Sequence, residues 1–265
     1  TCLDDWNGNP KGITKGAKIY SEYFNQSMAW TAAPADNETI YQLPNGAWDL
    51  ANVDCVGAIC GYKCGTNPSQ ELVDAYDTRN GEPVLNLAKP YNDEQHLKPN
   101  YNTANSMYNA NDPYVNRDPR FYATIYYNGS YRYCTWGTGA ASNSFENLGR
   151  DAGERFARFI ATWDKWEQEG VLHEQNELTT GRNTGQRTMT RTGYYHRKFV
   201  HPNSDHVQII VSGADHKDYR FAEILLNAAE CAFESGNEGE ARTLVNRVRS
   251  RVGMPDLPSS STGND

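Results

Sequence analysis

The fold is decided by residues 218–255, DYRFAEILLNAAECAFESGNEGEARTLVNRVRSRVGMP, which form the most regular stretch of the chain. The pattern predicts two consecutive helices. Asp218 is suited to cap the first helix, because its carboxylate can accept a backbone N–H. Gly236 predicts the end of the first helix and Asn237 the cap of the second, which is expected to end at Gly253.

Each predicted helix carries one apolar stripe, which is typical of a helix with one buried face. The first stripe consists of Phe221, Leu225, Ala228 and Ala232. The second stripe consists of Ala241, Leu244, Val245, Val248 and Val252. Facing stripes predict an antiparallel hairpin of the tetratricopeptide type over residues 218–253, with Cys231 as a small core residue. One such pair leaves its outer faces uncovered, so partner helices are expected.

The remainder of the chain is polar but rich in aromatic residues. Among 265 residues, 17 are Tyr and 6 are Trp, which argues against disorder because aromatic side chains can build a core or a stacking surface. The formal net charge of −8, without a basic block, excludes a surface that grips phosphates, so no nucleic-acid partner is expected. We expect a single domain over residues 1–265, mainly α-helical, with long irregular loops and a few short strands.

Local patterns predict the other elements. Helices are predicted at 13–27, at 68–76 with Pro68 in the first position, and at 156–170. Strands are predicted at 123–128, 193–200 and 207–211. Asn128–Gly129 predicts a tight turn that returns the first of these strands into residues 130–134. Asp118 and Arg120, on either side of Pro119, are expected to form a helix cap and its ion partner.

The helical pair resembles the hallmark segment of the SusD/RagB family. The matching positions are Arg220, Ala222, Glu223, Leu225, Leu226, Ala229, Glu230, Asn246, Arg249, Arg251 and Gly253. Four further segments resemble family landmarks in the expected order. They are NETIYQLPNG at 37–46, PSQELVDAYDTRNGEPV at 68–84, NRDPRFYATIYYNGS at 116–130 and TGYYHRKFV at 192–200.

The resemblance implies a lipid-anchored outer-membrane protein at the bacterial cell surface. Such proteins bind glycans and sit as a lid over a SusC-like, TonB-dependent transporter, without acting as enzymes and without a cofactor. The resemblance also implies a lipidation signal and tetratricopeptide helices ahead of residue 1, and a further segment after residue 265. The chain is therefore expected to be part of a longer protein, with its lipid anchor elsewhere.

A glycan site needs flat aromatic faces for the C–H faces of sugar rings, and polar groups for their hydroxyls. The loop-rich region 28–64 offers both, and the family commonly places part of its ligand surface there. The predicted ligand residues in this region are Trp30, Tyr41, Trp48, Asn52, Asp54 and Tyr62. Trp48 is the leading candidate, with packing under its own glycine-rich loop as the equal alternative.

A second aromatic region spans residues 126–136, from which Trp136 is included as a predicted ligand residue. The aromatic residues of this region are Tyr126, Tyr127, Tyr131, Tyr133 and Trp136. A β-hairpin places alternate side chains on opposite faces, so at most half of them can face a ligand. Trp163 and Trp166 are expected to pack on the core.

Other polar clusters favour structural roles. Glu223 and Glu230 lie two turns apart on one helix, whereas hydrolases place their carboxylates across a cleft, so we expect both to anchor neighbouring groups. The spacing of Cys55, Cys60 and Cys64 favours a local disulfide over a metal site. No metal is expected from His196, His201 and His206 either.

Three rivals to glycan capture remain open from the sequence. The same fold could bind peptides, as the RagB side of the family does, in a long groove with fewer exposed stacking rings. A glycoside hydrolase or accessory enzyme would cleave glycans. A purely structural helical scaffold would bind no ligand.

Overall fold

The computed structural model describes residues 20–21, 23–24, 37–43, 66–135, 155–159, 166–168, 171–173, 190–198 and 215–257. The helices with defined bounds in these residues are α1 (Gln70–Asp74), α2 (Pro119–Thr124), α3 (Phe221–Glu234) and α4 (Glu238–Ser250). The strands are β1 (Thr39–Leu43), β2 (Ile125–Tyr126), β3 (Tyr131–Thr135), β4 (Arg155–Phe159), β5 (Trp166–Gln168), β6 (Val171–His173), β7 (Tyr195–His196) and β8 (His216–Arg220).

The described strands pair as four two-stranded antiparallel sheets. The pairs are β1 with β8, β2 with β7, β3 with β4, and β5 with β6. The described part therefore combines a few helices with short strands and long irregular loops, and is less helical than the sequence predicted. None of its helices is both long and apolar enough to cross a membrane.

Helices α3 and α4 pack against each other as the predicted antiparallel pair. The end of α3 is a Schellman motif: the N–H of Gly236 donates to the Phe233 carbonyl, and that of Asn237 donates to the Ala232 carbonyl. Asn237 then caps α4 by accepting the Glu240 N–H at 3.3 Å. The predicted end and cap are thus confirmed, while the tetratricopeptide type of the pair stays a prediction.

The start of α3 differs from the prediction. Asp218 lies inside strand β8, and Arg220 occupies the N-cap position without a side-chain cap. The reason is the pairing of β8 with β1, which continues to the helix itself. The N–H of Phe221, which a capping side chain would otherwise serve, donates to the Glu38 carbonyl at 2.8 Å.

The buried stripe of α3 is also rotated from the predicted one. Ala222, Leu225 and Ala229 are buried, whereas Ala228 and Cys231 are exposed. The first predicted stripe residue, Phe221, is 41% exposed and lies 5.6 Å below the Arg247 guanidinium. Both stripes have helical spacing, so the sequence pattern could not choose between two faces of similar apolar content.

Ion pairs and hydrogen bonds tie this helical pair to the rest of the fold. Arg220 and Arg251 both contact the Glu38 carboxylate, at 3.0 and 2.5 Å. Arg249 donates to the Pro255 carbonyl at 2.8 Å and contacts Asp77 at 3.5 Å. Three arginines near the helix ends therefore connect the pair to β1 and to the turn after α1.

The main core lies under α2. Its buried members are Val73, Tyr114, Phe121, Tyr122, Ala123, Ile125, Tyr127 and Tyr194. The predicted cap of α2 is confirmed, because Asp118 accepts the Arg120 N–H at 2.7 Å and its carboxylate is paired with the Arg120 guanidinium. Within this core, the ring of Phe121 packs against several tyrosines.

Arg117 is the largest fully buried side chain of the described residues. Its guanidinium donates to the carbonyls of Val73, Tyr76 and Pro113. It also lies 4.9 Å over the Phe121 ring. The Val73 carbonyl lies in the last turn of α1 and the Tyr76 carbonyl just after it, where a cation complements the helix dipole. Arg117 thereby fixes α1 against the aromatic core.

One predicted hairpin and one predicted helix are wrong. Strand β2 pairs with Tyr195–His196 and not with the residues after the Asn128–Gly129 turn, although that turn forms, with the Ser130 N–H donating to the Tyr127 carbonyl. The stretch predicted as a helix at 156–170 contains strands β4 and β5. Phe and Trp suit strands, and short apolar runs do not separate helix from strand by spacing alone.

Helix α1 is shorter than predicted, since Ser69 is its N-cap, accepting the Leu72 N–H at 3.2 Å, and Pro68 precedes the helix. Leu72 is exposed while Val73 is buried, so these two residues do not share a buried face.

The described residues 20–21 and 23–24 are helical, as predicted for 13–27, and the strand predicted at 193–200 is confirmed at β7. The strand predicted at 207–211 lies outside the described residues.

Gly81→Ala should destabilise the protein more than Gly129→Ala. Both glycines have positive φ, 86° and 81°, so both alanines carry a backbone cost of about 1–2 kcal/mol. A Cβ at Gly81 would also lie 2.6 Å from Arg249 Nη2, whereas one at Gly129 meets nothing within 4 Å. We expect Gly81→Ala to lower the free energy of unfolding in urea by at least about 1 kcal/mol more. Equal losses in the free energy of unfolding would contradict this prediction, because they would mean that the Arg249 side chain moves away from the added Cβ at no cost.

Arg117→Met should lower the free energy of unfolding by about 3 kcal/mol or more. The substitution removes the guanidinium donor from the Tyr76 and Pro113 carbonyls, each loss costing about 1–3 kcal/mol, and it takes one of two donors from the Val73 carbonyl, which keeps the Tyr76 N–H. Arg79→Met is the matched control, because Arg79 is exposed, and we expect it to stay within about 0.5 kcal/mol of wild type. Urea denaturation of both variants measures the difference, and a similar small loss in both would contradict the carbonyl clamp.

Candidate ligand-binding surface

One predicted ligand residue, Tyr41, lies in the described part of the chain. It is 53% exposed on β1, opposite Tyr219 of β8. The other predicted ligand residues lie outside the described residues and stay predictions: Trp30, Trp48, Asn52, Asp54, Tyr62 and Trp136. The same holds for the cysteines at 55, 60 and 64.

The second predicted aromatic region contributes to the core where its side chains are described. Tyr126 and Tyr127 are both buried. They belong to the segment that pairs with β7 and packs on Phe121 and Tyr114. These two tyrosines are therefore core residues, which agrees with the expectation that at most half of this region faces a ligand, and Trp136 stays a prediction.

An irregular hairpin at residues 84–102 carries two exposed rings, His96 and Tyr101, and the half-buried ring of Tyr91. Its arms are joined by antiparallel bridges between Leu85 and Tyr101 and between Tyr91 and Pro99. Backbone hydrogen bonds from Asn86 to Asn100 and from Asn102 to Val84 hold its base. The hairpin is thus held together by backbone hydrogen bonds between its arms, although its sequence has no regular strand pattern.

The tip of the 84–102 hairpin is organised by Asp93. Its carboxylate accepts the backbone N–H groups of Leu97 and Lys98, at 3.0 and 2.6 Å. Between them and Asp93 lies His96, whose φ is 58°. A left-handed backbone is uncommon outside glycine, and here the Asp93 contacts on the following residues hold it in place.

Tyr91 and His96 form a stacked pair on this hairpin. Their ring centroids are 4.3 Å apart with an interplanar angle of 7°. The Tyr91 hydroxyl donates to Asp74 at 3.2 Å, and His96 Nδ1 lies 3.3 Å from the Glu71 carboxylate. Both carboxylates belong to α1, so one short helix docks both rings.

Tyr101 and Tyr108 form a second ring pair, with centroids 5.1 Å apart. Tyr101 is exposed, and Tyr108 is half-buried beneath it, with Arg117 5.8 Å from its ring. We call the four rings of Tyr91, His96, Tyr101 and Tyr108 the hairpin face. Leu97, at 78% exposed, and the amides of Asn92 and Asn100 belong to the hairpin, while Tyr108 and Asn109 lie in the segment that follows it.

The electrostatics around Asp74 fix the donors and acceptors of this region. Burial raises the pKa of the Asp74 carboxyl above its usual range, while hydrogen bonds from Gln70 and Tyr91 oppose the rise. Burial, and then the Asp74 charge, raise the pKa of Tyr91 to about 12, so its hydroxyl stays protonated and donates. The pKa of Glu71 is lowered, first by its own backbone N–H and then by Ser69 and His96.

The sequence carried a signal for the hairpin face that the prediction missed. Tyr–Asn occurs at Tyr91–Asn92, Tyr101–Asn102 and Tyr108–Asn109, within a stretch that lacks helical or alternating apolar spacing. A ring next to an amide is the combination that glycan recognition requires. Because the stretch has no regular apolar spacing, periodicity alone does not identify it as a structured segment.

Glu223 and Glu230 are both exposed on α3. Neither carboxylate forms an ion pair or hydrogen bond with another described residue, so the predicted anchoring role is not seen. The described residues also contain no group of three or more His, Cys, Asp and Glu side chains placed to hold a metal ion.

The sequence model of the SusD family matches residues 57–265 of this chain. The chain therefore belongs to the SusD family. No curated protein matches the chain.

Solved structures show the same relationship at the level of the fold. A SusD-like protein from Bacteroides fragilis is similar with a TM-score of 0.56 and 24% identity, over 95% of this chain and 41% of that one. A SusD-like carbohydrate-binding protein from the same species gives a TM-score of 0.50 and 18% identity, over 85% of this chain and 36% of that one. The fold is SusD-like, and the chain spans less than half the length of these relatives.

Acidification should favour wild type over Asp74→Asn. Because the folded pKa of Asp74 is raised, the folded state binds this proton more tightly than the unfolded state does. Its contribution to stability is therefore present in acid and lost as the pH rises through the folded pKa. We expect the difference in the free energy of unfolding, wild type minus variant, to increase from pH 7 toward about pH 4. Urea denaturation across this range measures it, and a constant difference would contradict the assignment.

Proposed function

We propose that this chain is part of a cell-surface protein that captures oligosaccharides or polysaccharides without cleaving them. Membership of the SusD family and the likeness to a carbohydrate-binding relative support this function. The observation that carries it is the hairpin face, which has two pairs of stacked or tilted rings and in which each tyrosine is followed in sequence by an asparagine.

The proposed mechanism is non-covalent. Aromatic rings stack on the C–H faces of sugar rings and supply affinity. Amide and carboxylate groups form hydrogen bonds to hydroxyls in defined directions and supply selectivity. Tyr91 and His96 are already held by α1 before a ligand arrives. Preorganised rings lose little conformational freedom on binding, which favours affinity.

The captured glycan would pass to a SusC-like, TonB-dependent transporter in the outer membrane. The resemblance over the helical pair and the four landmark segments supports this partner, and it supports a lipid anchor outside this chain. The proposed protein is a binding protein and uses no cofactor. An enzyme would need a pair of carboxylates across a cleft, whereas Glu223 and Glu230 lie exposed on one helix.

The remaining predicted ligand residues complete the proposed site. Trp48 stays the leading candidate of the region 28–64, together with Trp30, Asn52, Asp54 and Tyr62, and Trp136 from the second region. Tyr41 is available on β1, since its side chain is exposed. The hairpin face adds the described rings to this set.

A glycan array with the full-length protein tests the proposal. We expect wild type to bind, and Trp48→Ala and Tyr101→Ala each to weaken binding about tenfold through loss of a stacking ring. Leu226→Ala is the control, because Leu226 is an exposed apolar residue of α3, away from the hairpin face. Cleaved glycans would favour an accessory enzyme. Binding of peptides without any glycan would favour the RagB-like alternative.

A further inference from the structure

His96 has a conformation that the surrounding residues must maintain. Its φ of 58° is uncommon for a residue with a side chain, although histidine adopts it more often than most. The Asp93 carboxylate fixes the next two backbone N–H groups, and Tyr91 lies flat against the ring. Backbone conformations of this kind are concentrated at functional sites, where the side chain has a required direction.

The His96 ring contacts other residues of the protein through one face and one nitrogen. Tyr91 stacks on one face, and Nδ1 faces Glu71 at 3.3 Å. Within the described part of the chain, the ring makes no other hydrogen bond or ring contact. The side chain is 49% exposed. With one face and Nδ1 engaged, the exposed part is assigned to the other face and Nε2.

Glu71 determines which nitrogen of the neutral ring carries the proton. An ionised carboxylate can only accept hydrogen bonds, so Nδ1 must be the donor in this contact. The other nitrogen, Nε2, is then an acceptor, because the partner of one ring nitrogen sets the tautomer. An exposed acceptor beside a flat ring face is complementary to a sugar hydroxyl next to a C–H face.

We propose that His96 is a specificity-determining residue of the hairpin face, and that Glu71 positions it as the Nδ1–H tautomer so that Nε2 accepts a hydroxyl hydrogen bond from a neutral glycan. This inference rests on the proposed function. It names the ligand class as neutral sugars, since an ionised uronate or sulfate group offers no donor to Nε2 and would lie near the Glu71 charge.

The tautomer can be measured without any ligand. NMR of the protein with ¹⁵N-labelled histidine, at a pH at which the ring is neutral, should show the Nδ1–H signature for His96. Glu71→Ala should abolish that preference, and Glu71→Gln should retain it, because the amide oxygen still accepts. An Nε2–H signature in wild type, or no change in Glu71→Ala, would overturn the positioning role.

Binding is then compared on an array of neutral and uronate-containing oligosaccharides. His96→Gly removes the ring while favouring the same positive φ, so the hairpin keeps its shape. We expect it to weaken binding of neutral glycans about tenfold, the loss of one hydrogen bond and one ring contact. The control Gln95→Gly places a glycine at the neighbouring exposed position and should bind as wild type does.

The outcomes separate this inference from the function on which it rests. If wild type binds neutral glycans and His96→Gly binds them equally, the role of His96 is wrong and glycan capture stands. The same conclusion follows if wild type binds only uronate-containing glycans. If wild type binds no glycan at all, both are wrong.

Discussion

The buried guanidinium of Arg117 is the interaction on which the described structure depends. It bonds two carbonyls at the end of α1 and one in the loop that precedes α2, while lying over the Phe121 ring. A buried cation needs such acceptors, since burial without them is costly. Because α1 carries Glu71 and Asp74, this clamp also sets where the 84–102 hairpin docks. The core and the candidate surface therefore share one anchor.

The helical pair extends this anchoring to the residue pairs at Asp77, after α1, and at Glu38, before β1. Arg249 reaches Asp77, just beyond α1, while Arg251 and Arg220 meet at Glu38 beside β1. A Cβ at Gly81 would meet the end of the Arg249 side chain, and the φ of 86° also favours glycine in this turn. The arginines of the helical pair thus form ion pairs that join elements far apart in sequence. In these contacts the arginines serve the fold and do not contribute to the hairpin face.

Local signals in the sequence predicted local features and failed for distant ones. Asp118 before Pro119, and Gly236 before Asn237, act within a single turn, so their caps could be predicted from neighbouring residues. The pairing of β2 with β7 joins segments about seventy residues apart, and it also decided that Tyr126 is buried. The hairpin face depends on Asp93 and α1, which no periodicity in 84–102 reveals. Family landmarks supplied the order of these segments but not their contacts.

Tyrosine has two uses in this chain, and the position of its hydroxyl distinguishes them. In the core, the Tyr122 hydroxyl donates to the Tyr114 carbonyl at 2.7 Å, and both rings are buried. On the hairpin, Tyr91 donates to a carboxylate of α1 while its ring supports a half-exposed histidine. An abundance of aromatic residues therefore does not by itself locate a glycan surface. What locates it is a ring held at the surface by polar contacts, with a face that the core does not cover.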